Sequence, residues 1–238
     1  MPDQSFTSKQ TDQPIGLMAL IQELDLPVRR PTVRSWTRLG ARKTIITSEA
    51  IKEYYPPVYA PSGTIGNLKF ALRYEPIDLS VYDAFFGVLD AELLEAWIRQ
   101  EPTGTYVRRA WFLYEALTGK LLDADDVSRT GYINILDPKL HVTGPVRRIR
   151  RGRVNNHLLG DNTYCPLIRR TDALNHAMAS GLDQEAKSLV ESCEPTILAR
   201  AVHYLYTKET KSSFAIEGEV PSETYRALRG GANKGREI

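Results

Sequence analysis

Val107-Arg108-Arg109-Ala110-Trp111-Phe112-Leu113-Tyr114-Glu115-Ala116-Leu117-Thr118-Gly119 reads as one amphipathic helix with its stop signal attached. Val107, Ala110, Trp111, Tyr114 and Leu117 recur at three- and four-residue intervals, so they share one helical face. Gly119 suits the left-handed residue that ends a helix, and Pro102 and Gly104 break the chain before it. At this spacing Trp97, Trp111, Phe112 and Tyr114 fit core packing better than an aromatic ligand pocket.

Toward the N-terminus the pattern stays helical back to Asn67. Asp90 is placed to cap a helix carrying Leu93, Leu94, Trp97 and Ile98. Ser80 with Asp83 resembles a capping arrangement before Phe85 and Leu89. Further back, Leu17, Leu20, Ile21 and Leu24 predict a short helix, ended by Pro27 and Pro31. Between them Thr44, Ile45, Ile46 and Thr47 suit a strand, and Ser48 is expected to cap a helical turn through Ile51. Pro56, Pro57 and Pro61 then impose a loop. Residues 1–13 are polar apart from one Phe and are expected to be a disordered tail.

Toward the C-terminus, Tyr132 to Leu136 predicts a strand followed by a turn at Asp137-Pro138, within a small β element near 130–155. Helices return after Pro166. One spans about 171–190 with a break near Gly181, and another starts at Pro195 and carries Ile197, Leu198, Ala201 and Leu205 toward Ile216. The expected fold is mainly α, with a helical domain over 14–192, a motif-bearing helix over 193–220 and a flexible or truncated tail over 221–238.

Composition sets the limits. The chain has 238 residues, 42% hydrophobic and 25% charged, enough for a core without disulfides or metal and unlike a disordered chain. A net charge of +2 gives no argument for nucleic acid as partner of the whole chain. Cys165 and Cys193 match neither a zinc ribbon nor a redox pair and are expected as buried thiols in a reducing compartment. No apolar run approaches the roughly 20 residues of a membrane span, and the polar N-terminus lacks a signal core. A soluble cytoplasmic protein with no membrane partner is expected.

Two clusters carry candidate chemistry. Arg147, Arg148, Arg150, Arg151 and Arg153 fall within seven residues and are a candidate anion-binding group, for a phosphate backbone or an acidic partner. Without interleaved aromatics, a solvated loop paired with nearby acids fits them better. His141, His157, His176 and His203 stand at no metal-ligand spacing, so no metal site is expected. Gly160-Asp161-Asn162 lacks the glycines and lysine of a phosphate loop and reads as a turn.

The second cluster is Ser213-Phe214-Ala215-Ile216-Glu217-Gly218. Ser213 and Glu217 are four residues apart and share a helical face. Glu217 falls at a helix end where the dipole disfavours negative charge, which makes sense beside a cation from elsewhere, such as a bidentate arginine. Gly218 lets the helix stop.

This segment, with Thr210-Lys211-Ser212 before it and Glu219 after it, resembles the inhibitory helix of Fic-domain proteins, whose pattern is Ser or Thr, three residues, Glu, then Gly or Asn. Arg108 to Gly119, and Asn156 to Thr171 with Leu158-Leu159-Gly160 and Cys165-Pro166-Leu167-Ile168-Arg169-Arg170, are similar to the N-terminal region of longer Fic proteins. The likeness covers about residues 105–220. It implies a regulator of AMP transfer from a nucleotide to a protein hydroxyl, in which Glu217 engages a catalytic-loop arginine and excludes the ATP γ-phosphate, with Ser213 on the same surface. ATP and Mg are implied for the complete family protein and no cofactor for this chain.

The family's catalytic run, His-x-Phe-x-Asp/Glu-Gly-Asn-Gly-Arg, does not occur in this sequence. Arg229-Gly230-Gly231-Ala232-Asn233-Lys234-Gly235-Arg236 does not begin one. No catalytic residue is therefore assigned, and the chain alone is expected to be inactive. The expected partner is a Fic catalytic core, reached in cis if the chain is severed from it, or in trans if the chain is an antitoxin-like inhibitor. A nucleic-acid-binding module using Arg147 to Arg153 is the alternative from another class.

Overall fold

The computed structural model describes residues 12–161 and 164–217. The chain divides into two compact units, residues 1–170 and 171–238.

The first unit opens with β1 (Gln13–Ile15) and α1 (Leu17–Glu23). Helix α1 buries five consecutive residues, Leu17 to Ile21, so it is enclosed on nearly all sides rather than on one stripe. Its start is held from a distance. Gly16 N–H donates to Asn67 Oδ1 at 2.9 Å and Leu17 N–H to Glu75 Oε2 at 2.8 Å, supplying acceptors for helix donors that have none of their own. Gly16 has φ +64°, and a Cβ there would lie 2.4 Å from Glu75 Oε2, so only glycine fits.

Strands β2 (Val33–Thr37), β3 (Lys43–Ile46) and β4 (Ile51–Tyr55) complete a four-stranded sheet in the order β1-β2-β4-β3. β2 pairs parallel with β4, while the β1–β2 and β3–β4 pairs are antiparallel. Trp36 and Tyr54 are register partners whose rings stack at 5.8 Å. The expected helical turn through Ile51 is corrected here. Thr47 Oγ1 and Ala50 close a tight turn, and Ile51 begins β4 because it pairs with Val33.

Four helices follow: α2 (Gly63–Tyr74), α3 (Leu79–Val88), α4 (Ala91–Gln100) and α5 (Thr105–Thr118). Asp90 caps α4 by accepting from Glu92 N–H at 3.0 Å. Helix α3 is capped by Asp78, which accepts from Ser80 and Val81, and not by the Ser80–Asp83 pair. Gly119 ends α5 at φ +69°, its N–H bonded to Glu115 O at 3.1 Å. The core of this unit joins Leu20 of α1, Leu68 of α2, Phe85 of α3, Leu94 of α4 and Trp111 of α5, all nearly inaccessible. Each such side chain contributes about 1.5–3 kcal/mol by leaving water.

A small sheet of β5 (Ile133–Asn134), β6 (Arg147–Ile149) and β7 (Val154–Asn156), ordered β5-β7-β6, stands where the β element was expected. Ile135, Leu136 and Val154 form its buried centre, with Phe112 of α5 packed against it.

The second unit holds α6 (Asp172–Ala179), α7 (Leu182–Ser192) and α8 (Pro195–Glu217). Thr171 caps α6 through Leu174 N–H at 3.2 Å, and Gly181, at φ +71°, separates α6 from α7 where the sequence predicts a break. Helices α6 and α7 bury no side chain. Large apolar residues stay exposed on all three helices, among them Met178, Leu189, Ile197, Tyr204 and Leu205. Cys193 is exposed and Cys165 half-buried, both as free thiols, which corrects the expectation of two buried cysteines. Cys193 follows α7, in a unit whose side chains have little to pack against.

The architecture is mixed α/β rather than plainly mainly α, because the four-stranded sheet adds to the expected small β element. Residues 1–11, Gly218 and the 221–238 segment lie outside the described residues. No helix among the described residues is long and apolar enough to cross a membrane.

Candidate functional site

Helix α8 runs without interruption from Pro195 to Glu217, so it carries the Ser213-x-x-x-Glu217 pattern in its last two turns. Positions 206, 213 and 217 fall on one face by helical register, whereas 197, 201, 204 and 205 fall on the other. Ile197, Tyr204 and Leu205 on that second face are each more than half exposed. The side chains of Ser213 and Glu217 lie outside the described residues.

The five arginines do not form one basic face. Arg147 and Arg148 lie in β6, and Arg150, Arg151 and Arg153 in the turn to β7, where Arg153 takes φ +49°. Arg151 folds inward. Its Nε donates to Glu115 Oε1 at 3.1 Å, Nη2 donates to Leu122 O, Nη1 stands 3.6 Å from Asp126, and the guanidinium covers the Trp111 ring at 5.1 Å. Glu115 Oε1 is a hub that also accepts from Trp111 Nε1 at 2.7 Å and Leu122 N–H at 3.1 Å. Arg148 and Arg153 both lie over Tyr132, at 5.5 and 5.3 Å. Beneath the turn, the buried Arg108 donates to the carbonyls of Gly131, Gly152 and Arg153. Burial, with Arg153 nearby, pulls the Arg108 guanidinium below its ordinary value. Three arginines, Arg147, Arg148 and Arg150, remain exposed.

The histidines stay separate. His157 is buried, its Nε2 3.1 Å from Leu136 O, while His176 and His203 are exposed. Among the described residues no group of three or more His, Cys, Asp or Glu side chains could hold a metal ion. The Asp161 carboxylate accepts from Tyr164 N–H at 3.1 Å, and Asn162 of the expected turn lies outside the described residues.

A site with no sequence signature lies in the first unit. A cavity of about 410 Å³ opens between the four-stranded sheet, the C-terminal end of α2, α5 and the loop after β5. A second cavity of about 220 Å³ shares Val33, Pro76, Ile77, His141 and Arg169 with it, so the two form one cleft. Glu75 lines the larger cavity and His141 lines both. Both are buried, and His141 Nδ1 has no hydrogen-bond partner. Burial pushes the Glu75 carboxyl up to about 7, opposed by the Leu17 N–H and the neighbouring Ser35 hydroxyl. Burial also lowers His141, and Arg169 adds to the shift, while Asp137 opposes it.

No family model, curated protein or solved structure matches this chain.

Proposed function

We propose that the chain is the regulatory region of a Fic-type protein AMP-transferase, acting in the cytoplasm and inhibiting a catalytic core through Glu217. The observation that carries this reading is the unbroken α8, which ends on the Ser213-x-x-x-Glu217-Gly218 pattern. The exposed Val202 and Tyr206, on the same face as positions 213 and 217, support it, since apolar side chains exposed there call for a covering surface. A catalytic core packed on that face meets positions 213 and 217 directly. There the Glu217 carboxylate pairs bidentately with the arginine that would otherwise hold the γ-phosphate. The α-phosphate is then out of line for attack by a protein hydroxyl.

Two measurements test the reading. The purified chain incubated with labelled ATP and candidate target proteins is expected to transfer no AMP; self-supported transfer overturns it. A Fic core lacking its own inhibitory helix is expected to lose AMP transfer when this chain is supplied, covalently joined or separate. Glu217→Gly should restore transfer, and equal suppression by that variant overturns the mechanism. Suppression by the separate chain identifies the antitoxin-like form. The inward placement of Arg151 and Arg153 disfavours the nucleic-acid reading.

A further inference from the structure

The cleft in the first unit has a polar interior that the fold leaves unmatched. His141 is pinned by its neighbours: it forms a β-bridge with Arg169, Val142 N–H donates to Ile168 O, and Arg170 N–H donates to Leu140 O. The backbone therefore holds His141 and Arg169 side by side on the cleft wall, yet His141 Nδ1 is buried without a partner. A buried polar atom left unpaired costs about 1–3 kcal/mol, so one on a cavity wall marks a place where something polar belongs.

The charges select what that is. Four arginines line the larger cavity, and two already have partners. Arg42 pairs with Glu53 at 3.2 Å, and Arg109 donates to the carbonyls of Asn134 at 2.9 Å and Leu72 at 3.5 Å. Arg73 lies over the Tyr74 ring at 4.9 Å, and Arg169 borders both cavities. Neither has a carboxylate within ion-pair distance among the described residues. Both guanidiniums are exposed. Glu53, Glu75 and Asp137 also line it, Glu53 being taken up by Arg42, and the rest of the wall is largely apolar, with Ile51, Ile77, Ile135, Leu136 and Leu140. Apolar walls, a few convergent polar groups and several hundred cubic ångströms are the usual build of a small-molecule site.

We propose that this cleft binds a small amphiphilic anion, whose carboxylate or phosphate meets Arg169 and Arg73 while its apolar body lies against Ile77, Leu136 and Leu140. His141 Nδ1 supplies a hydrogen bond to the polar end. The proposal rests on residues of the first unit and does not depend on the function assigned to Glu217.

Calorimetric titration of the full chain with phenyl phosphate, phenylacetate and benzyl alcohol tests this. At least one anion is expected to saturate a single site, and benzyl alcohol to bind about tenfold or more weakly; which anion binds better separates phosphate from carboxylate recognition. The double variant Arg73→Gln/Arg169→Gln should lose about tenfold or more in affinity with an unchanged thermal midpoint. No saturation by either anion up to about 10 mM overturns the proposal. So does equal binding of the neutral analogue, or undiminished binding by the double variant.

Discussion

Leu17 N–H donates to Glu75 Oε2 at 2.8 Å across 58 residues of sequence, so a side chain just past the end of α2 caps the start of α1. The same carboxyl is buried and carries no opposing cation, which sets the sign of the pH dependence. In the folded chain it holds its proton to about 7, against an ordinary value of 4.5. Between these values the folded state binds more protons than the unfolded state. Stability from this group is full below about pH 4.5 and is lost as pH rises through about 7. The loss is on the order of 3 kcal/mol. Urea unfolding from pH 4.5 to 8 should show the decline, and Glu75→Gln should flatten it. An unchanged slope in the variant contradicts the assignment.

Gly16→Ala and Gly119→Ala separate backbone strain from collision. Both glycines have positive φ, but a Cβ at Gly119 meets nothing within 4 Å, whereas one at Gly16 meets the Glu75 carboxylate. Gly119→Ala should cost about 1 kcal/mol. Gly16→Ala should cost about 2–4 kcal/mol, because Glu75 must also leave its place as cap. Chemical denaturation of the two variants side by side checks the order.

Among the clustered arginines, Arg151→Ala should destabilise the fold by about 1–3 kcal/mol, since it strips Glu115 and Leu122 O of a charged donor. Arg150→Ala, at an exposed position, should stay within about 0.5 kcal/mol. Equal effects at both positions would mean that the arginine at 151 is not built into the fold.

Leu94→Ala in the core should cost about 2–5 kcal/mol. Leu189→Ala on α7 should cost under about 0.5 kcal/mol in the isolated chain, because Leu189 is 68% exposed. Thermal unfolding measures both. A large penalty at Leu189 would show that a surface already covers α7.

Much of the helical part was legible because its signals are local. The Val107-to-Leu117 stripe, the Asp90 cap and the Gly119 stop act within one or two turns, and α4 and α5 follow them. The α6–α7 break at Gly181 and the start of α8 at Pro195 are equally local. The four-stranded sheet was not legible beyond β3. Its central pair, β2 with β4, is parallel and brackets β3 in the sequence, so the pairing is decided by hydrogen bonds between distant segments. At α3 the expected Ser80–Asp83 cap gave way to Asp78, whose carboxylate reaches the first free N–H groups.

The sequence by itself determined that α8 carries a serine and a glutamate four residues apart at its C-terminal end, since helical period and residue identity are enough for that. It also determined that five arginines fall within seven residues. Tertiary structure alone decided which of them face outward, because only folding brings Glu115 and Trp111 to Arg151. It alone built the cleft as well: Glu75, His141 and Arg169 have no informative spacing, and they share a cavity because strand pairing and helix packing converge there.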